Sequence, residues 1–266
     1  MSGNYGRCRS GEKPESGAVT DNKAIKPAEI PPALLLIKWV KGEAFMRMRK
    51  KKWAVPELQS CGFFVEQPEQ YKGRWREAFP HPDYPICLEL GCGKGSFAAQ
   101  MGIAYEQTNF LAIDLISDML GVGQRNIKKL YAEHQRPVDN IRLTAHDIER
   151  LPLIFSEADC FERMYINFCN PWPKAKHRKR RLTHPKQLAV YREHLKPEGE
   201  IWFKTDSDML FADSKQYFEE SGFRIVYATN DLHHADFDGY SPMTEHEKMF
   251  TEEGIPTKFL IACKLG

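Results

Sequence analysis

Three groups of residues in this 266-residue chain have types and spacings that suit chemistry. The first is the run Leu88-Glu89-Leu90-Gly91-Cys92-Gly93-Lys94-Gly95-Ser96. Glycines at 91, 93 and 95 permit a tight turn and let a ligand come close to the backbone, and Glu89 beside them offers charge to a cationic group. The second is a pair of acids. Asp114 follows Glu89 by 25 residues and is placed to accept hydrogen bonds from both hydroxyls of a ribose. Asp147 ends the next expected strand, a second acid at a strand end. The third is the stretch 167–183, N-F-C-N-P-W-P-K-A-K-H-R-K-R-R-L-T. Asn170 followed by Pro171 and Trp172 gives a rigid kink with an aromatic surface on which a base could stack. Residues 174–181 then contain six Lys or Arg and His177, a run suited to tracking a phosphate backbone through charge and paired Arg hydrogen bonds.

Short apolar runs at 86–90, 110–113, 141–145, 164–168, 201–204, 223–228 and 259–263 read as seven strands. Helical patterns fall between them at 97–105, 115–134, 148–155, 185–195 and 208–221, the fourth opened by Pro185 with Thr183 or His184 as cap, the last stopped by Gly222. This alternation predicts an α/β fold with a doubly wound, mostly parallel sheet, in which ligands bind at the carboxyl ends of the strands. The turn at 91–96 lacks the third glycine of the dinucleotide fingerprint, since position 96 is Ser96, which weakens a nicotinamide-dependent oxidoreductase as a reading.

The formal net charge is only +2, with 42% apolar residues. That composition favours a folded chain with a sizeable core. The longest apolar runs are about five residues, too short for a membrane-spanning helix, and no signal-peptide pattern opens the chain. Seven cysteines without a C-x-x-C argue against a disulfide framework or zinc ribbon and for reduced thiols in a cytoplasmic protein. Residues 1–45 carry Gly, Ser, Pro and scattered charge without periodicity and read as a disordered extension, with 33–40 as a short helix or strand. Residues 46–266 form the expected catalytic domain. His233 and His234 lie beside Asp231 and Asp236, but no third ligand has convincing spacing, so no metal is expected. The sequence leaves monomer or homodimer open.

The pattern E-x-G-x-G-x-G at 89–95 resembles the first motif of S-adenosylmethionine-dependent methyltransferases. Further motifs sharpen this: M-R-M-R-K at 46–50, Y-K-G-R-W at 71–75, N-P-W-P-K-A-K-H-R-K-R-R-L-T at 170–183, F-K-T-D at 203–206, D-L-H at 231–233 and T-E-H-E-K-M-F at 244–250. Together they make the chain similar to the bacterial tRNA (guanine-N7-)-methyltransferase family from about residue 46 to 264. The resemblance implies a class I methyltransferase fold, a seven-stranded Rossmann-like sheet whose last strand is antiparallel. It implies S-adenosylmethionine as methyl donor and methylation at N7 of the variable-loop guanosine of tRNA (tRNA position 46). It places cofactor contacts on Glu89, Gly91, Gly93, Gly95, Asp114, Asp147 and Asn170. It places substrate contacts on Lys174, Asp206, Thr244, Glu245, His246 and Glu247. The basic stretch Lys176, His177, Arg178, Lys179, Arg180 and Arg181 is then the RNA-contacting loop, with Asn170 and Asp206 as the catalytic pair. Many members carry Asp where this chain has Asn170, and Tyr where it has His246.

Guanine N7 already holds a lone pair, so no general base is needed and the catalytic task is alignment. Carboxylates at Asp206, Glu245 and Glu247 could stabilise the positive charge that develops on the ring. They could also accept from the guanine N1–H and N2 amine. Two alternatives compete: a methyltransferase acting on an exocyclic amine, whose N-P-P-Y motif the N-P-W-P resembles, and a non-catalytic RNA-binding protein. Residues 163–192 contain nine Lys or Arg and no acid, so a basic face is expected despite the near-neutral total.

Overall fold

The computed structural model describes residues 50–266. The expectations for 1–45, including the undecided segment at 33–40, and for all but the last residue of the motif at 46–50, fall outside the described residues.

Among the described residues, eight strands form one sheet: β1 (Phe64–Val65), β2 (Ile86–Leu90), β3 (Asn109–Asp114), β4 (Ile141–Ala145), β5 (Phe161–Asn167), β6 (Leu195–Thr205), β7 (Phe223–Thr229) and β8 (Lys258–Lys264). Their order is β1-β4-β3-β2-β5-β6-β8-β7. Neighbours are parallel except around β8, which runs antiparallel to both β6 and β7. The seven expected strands are therefore present with the expected antiparallel last strand. The eighth, β1, pairs Phe64 with Leu143 and Val65 with Thr144 at the sheet edge. Two residues are too few for an alternating pattern to be read.

The helices are α1 (Ala54–Gln59), α2 (Ser96–Ala104), α3 (Ser117–Glu133), α4 (Pro185–His194), α5 (Asp208–Glu220) and α6 (Glu245–Glu252). His184 is the cap of α4, its Nδ1 accepting from the Lys186 N–H at 3.2 Å. Ser207 caps α5 in the same manner, with Oγ accepting from Leu210 N at 3.2 Å. The helix expected at 148–155 is instead a 3-10 turn, Ile148–Leu153, because Pro152 has no N–H to continue an α-helical ladder.

Strand residues alternate between the two faces of the sheet. Ile86, Leu88 and Leu90 of β2 join the core with Leu188 and Tyr191 of α4 and Phe218 of α5. Cys87 joins the opposite core with Phe97 and Met101 of α2 and Ile127 of α3. Glu89 has the parity of Cys87, so its side chain faces the α2–α3 layer. On β6 the same rule separates Ile201 and Phe203 from Trp202, and puts Lys204 on the Trp202 side. At β2 the winding reverses: β3 lies on one side and β5 on the other. Such a switch point opens a crevice above the strand ends.

Candidate functional site

The glycine turn sits at that crevice. Gly91, Gly93 and Gly95 adopt φ of +81°, +53° and +66°, where any Cβ would be strained. Gly91 N and Cys92 N donate to Ile113 O at 2.9 and 3.0 Å, which ties the turn to the end of β3. Asp114 completes the tie. Its Oδ2 accepts from Gly93 N at 2.8 Å and its Oδ1 from Ile116 N at 2.9 Å. Burial raises its pKa, while the N–H groups of Ile116 and Gly93 act in the opposite direction.

Glu89 is 3% exposed. Asn167, at the end of β5, donates from Nδ2 to Glu89 Oε1 at 3.2 Å. Glu89 Oε2 is buried with no hydrogen-bond partner among the described residues. Burial pushes the Glu89 pKa up to about 7, against the Asn167 hydrogen bond. Glu89, Gly93, Asp114, Phe168, Thr244 and His246 line a cleft of about 210 Å³. A larger hollow of about 680 Å³ lies against α4 and the end of α5, but it contains none of the expected site residues. Burial holds the thiols nearby in their neutral form, with Cys87 and Cys169 pushed up to about 12. They are therefore poor nucleophiles.

The cleft suits the methyl donor that the sequence implies. An orphaned buried carboxylate oxygen asks for a cationic N–H donor. Asp114 accepts one backbone N–H on each oxygen and has lone pairs left for two hydroxyls. Gly91 and Gly93 keep their backbone bare at the lining. Asp147 stands outside that lining. Its Oδ1 accepts from Glu149 N at 3.0 Å and so caps the turn at 148–153.

Beyond β5 the backbone turns through two strained positions, Phe168 at φ +51° and Trp172 at φ +40°. Asn170 lies between them, and its Oδ1 accepts from Trp172 N at 3.0 Å. This is an Asx turn. An Asp at 170 would make the same bond, so the turn does not depend on which of the two is present. Phe168 N donates to Lys204 O at 2.9 Å, which sets this loop beside the end of β6 and Asp206. The Asp206 carbonyl accepts from Lys258 Nζ at 2.9 Å.

The basic stretch forms a 3-10 turn, Ala175–Arg180. Lys174 precedes it, outside the cleft lining, and Lys174, Lys176, Arg178, Lys179 and Arg180 are exposed. The Arg180 guanidinium lies 5.0 Å from the Trp172 ring centroid, and the His177 ring is 5.5 Å from it. Arg181 departs from its expected role. Its side chain is 0% exposed and pairs with Asp213 at 2.5 Å, and its Nε donates to Pro171 O at 2.8 Å. It fastens the loop from below and cannot reach a phosphate. Arg163 is also withdrawn from the basic face, by Glu200 at 2.8 Å and the Trp202 ring.

The 244–247 segment closes the cleft from the other side. Thr244 Oγ1 accepts from Glu247 N at 3.0 Å, and Glu247 Oε2 accepts from Thr244 N at 3.1 Å. This is a reciprocal capping box. Glu245 is exposed and pairs with Lys94 of the glycine turn. The His246 ring stacks on Phe168 at 6.4 Å. Glu247 is the second departure. It is 0% exposed and bonded to Lys204, so its carboxylate is consumed beneath the surface and is not available to a base. His233 Nε2 lies 3.2 Å from the same carboxylate, while His234 pairs with Asp231.

Asn167, Lys94 and Lys204 were not among the expected site residues. Asn167 opens the stretch 167–183 that the sequence marks, Lys94 sits inside the glycine turn, and Lys204 lies within F-K-T-D at 203–206. Thr244-x-x-Glu247 has the capping-box spacing that marks a helix start, a legible signal for α6.

A family model described as "Putative methyltransferase" matches residues 83–260. The chain is 56% identical over 219 residues to a tRNA (guanine-N(7)-)-methyltransferase of Clostridium beijerinckii, covering 82% of this chain and 99% of that one. It is 50% identical over 220 residues to the protein of the same name from Clostridium perfringens (strain SM101 / Type A), covering 83% and 100%. Among solved structures, the 16S rRNA methyltransferase KamB superposes with a TM-score of 0.50 at 12% identity, covering 69% of this chain and 89% of that one. This last likeness concerns the fold alone.

Proposed function

The chain belongs to the tRNA (guanine-N(7)-)-methyltransferase family, and from that premise we propose that it transfers a methyl group from S-adenosylmethionine to guanine N7 in tRNA, at the variable-loop guanosine (tRNA position 46). The observation that carries this reading is a juxtaposition. A cleft containing Glu89 and Asp114 is also lined by Phe168, and the loop that continues from Phe168 carries an exposed run of five cations, Lys174, Lys176, Arg178, Lys179 and Arg180.

S-adenosylmethionine supplies an electrophilic methyl group when bound. Glu89 Oε2 would receive its amino group, Asp114 its ribose hydroxyls, and the Gly91–Gly95 backbone its close approach, with Asp147 and Asn170 at the rim. Guanine N7 arrives with a free lone pair, so no side chain has to remove a proton. Asp206 and Glu245 orient the base and stabilise the positive charge that develops on it. Thr244 and His246 complete the wall against which the base is held. Lys174 and the 176–180 stretch bind phosphates and bring the tRNA to the cleft. Trp172 is already covered by Arg180 and His177, so its first task is to stiffen that loop.

No helix among the described residues is long and apolar enough to cross a membrane. With tRNA as substrate, the place of action is the cytoplasm.

Incubation with S-adenosylmethionine and an unmodified tRNA transcript, followed by nucleoside mass spectrometry, tests the proposal. The expected product is 7-methylguanosine at one variable-loop position. An N2- or N6-methylated nucleoside, or no methylation, overturns it.

A further inference from the structure

A buried ion pair beneath the cleft has no part in the chemistry above. Lys204 is 1% exposed and Glu247 0% exposed. The ammonium has three donors and three acceptors in reach: Glu247 Oε2 at 2.9 Å, Glu247 Oε1 at 3.2 Å and Pro242 O at 3.1 Å. One cation on β6 thus fastens the strap at 242 and the first turn of α6 together. Its Nζ also lies 5.9 Å from the ring centroid of Phe97, which lines the cleft with Thr244, Glu245 and His246.

The Phe250 ring lies 5.9 Å from that of Phe168, but it is only partly buried, so apolar packing alone does not account for how α6 is docked. The helix has eight residues, and Glu247 is its one fully buried side chain. A buried pair adds little net stability over an apolar pair of the same volume, because both charges leave water; a fixed register is the better-attested return. Lys204 holds both oxygens of Glu247, with His233 Nε2 3.2 Å from Oε1 as a second neighbour, and the capping box transmits the resulting position to Thr244.

We propose that Lys204 is a positioning residue for methyl transfer: through Glu247 it fixes the first turn of α6, and so sets where Thr244, Glu245 and His246 meet the base. The proposal rests on the function given above for the identity of that base, but not for the docking of α6.

The test compares wild type, Lys204→Met and the double variant Lys204→Met/Glu247→Gln. The double variant removes the buried charge that the single variant leaves with only His233 beside it, while leaving an acceptor for the Thr244 N–H. Melting temperature is expected to fall in the single variant and to recover largely in the double. In both, kcat on tRNA should drop about tenfold or more, with KM for tRNA nearly unchanged because phosphate contacts dominate that affinity. Stoichiometry of S-adenosylhomocysteine binding should stay at the wild-type level, which excludes a merely inactive fraction. Hydrogen exchange of the 243–248 amides, measured without any ligand, should quicken in both variants. A double variant with wild-type kcat, or with unchanged protection at 243–248, overturns the role of Lys204. Absence of 7-methylguanosine from the wild-type reaction overturns the functional reading instead, and the exchange measurement still decides the docking.

Discussion

Asn167 grips Glu89 across the β2–β5 boundary: Nδ2 donates to Oε1 at 3.2 Å, while Oε2 stays buried without a partner among the described residues. The protein thus keeps a carboxyl group half-satisfied at the floor of its cleft, and burial pushes its pKa up to about 7.

A folded-state pKa of about 7 against an ordinary 4.5 means that ionised Glu89 opposes folding, by up to roughly 3 kcal/mol. The raised value contributes stability that is complete below 4.5 and is lost as pH rises through about 7. Glu89→Gln should therefore raise the melting temperature of the ligand-free protein at about pH 8 and not at about pH 4. The same variant should bind S-adenosylmethionine about tenfold or more weakly, and its affinity should no longer rise between about pH 6 and 8. Thermal melts and calorimetry across this range measure both. A wild-type affinity that is flat with pH would contradict the assignment of Glu89 to the amino group.

Asp206→Asn keeps the shape of the side chain and removes its charge. Turnover is expected to fall about a hundredfold under saturating tRNA, with S-adenosylmethionine affinity within about twofold of wild type. Equal turnover would remove Asp206 from the chemistry.

The basic loop divides into contacts and fastener. Arg178→Ala with Lys179→Ala should leave the melting temperature intact and lower the slope of log affinity for tRNA against log salt by about one to two. Arg181→Ala should do the reverse. It leaves Asp213 and the Pro171 and Trp172 carbonyls without their donor, a loss of about 2–4 kcal/mol once the partial exposure of Asp213 is allowed for. Melting curves and salt-dependent binding isotherms separate the two classes.

Gly95→Ala places a Cβ at φ +66° and 3.1 Å from Ile127 Cδ1. It should destabilise the fold by about 1–3 kcal/mol. An unchanged denaturation midpoint would show that the turn relaxes without loss.

Most of this site was legible because its residues are local. Glu89, the glycines and Asp114 fall within two consecutive strands, and an apolar run ending in glycines states where a strand stops and a ligand can approach. The basic loop was legible as charge, but charge does not say which cations are spent on the protein itself. Arg181 and Glu247 read like their neighbours at 178–180 and 245–246 until their partners, Asp213 and Lys204, are brought from 32 and 43 positions away. The seven longer strands could be read from apolar runs, whereas β1 is two residues held by register with β4, and no pattern of that length exists to be read.

The position of β8 bears on how the two halves of the site come into being. During synthesis the residues from β2 to β3 emerge together and pair directly with one another, so the floor of the cleft forms early. β7, by contrast, has β8 as its neighbour in the sheet, and α6 is strung between those two strands. Until residues 258–264 clear the ribosome, β7 has nothing to pair with in the sheet, and the wall containing Thr244 and His246 is tied down only at its start, by Lys204 of β6. On the proposed function, a nascent chain thus acquires the floor for its methyl donor well before the wall for its base is complete, and a chain that stalls before β8 would carry the first without the second.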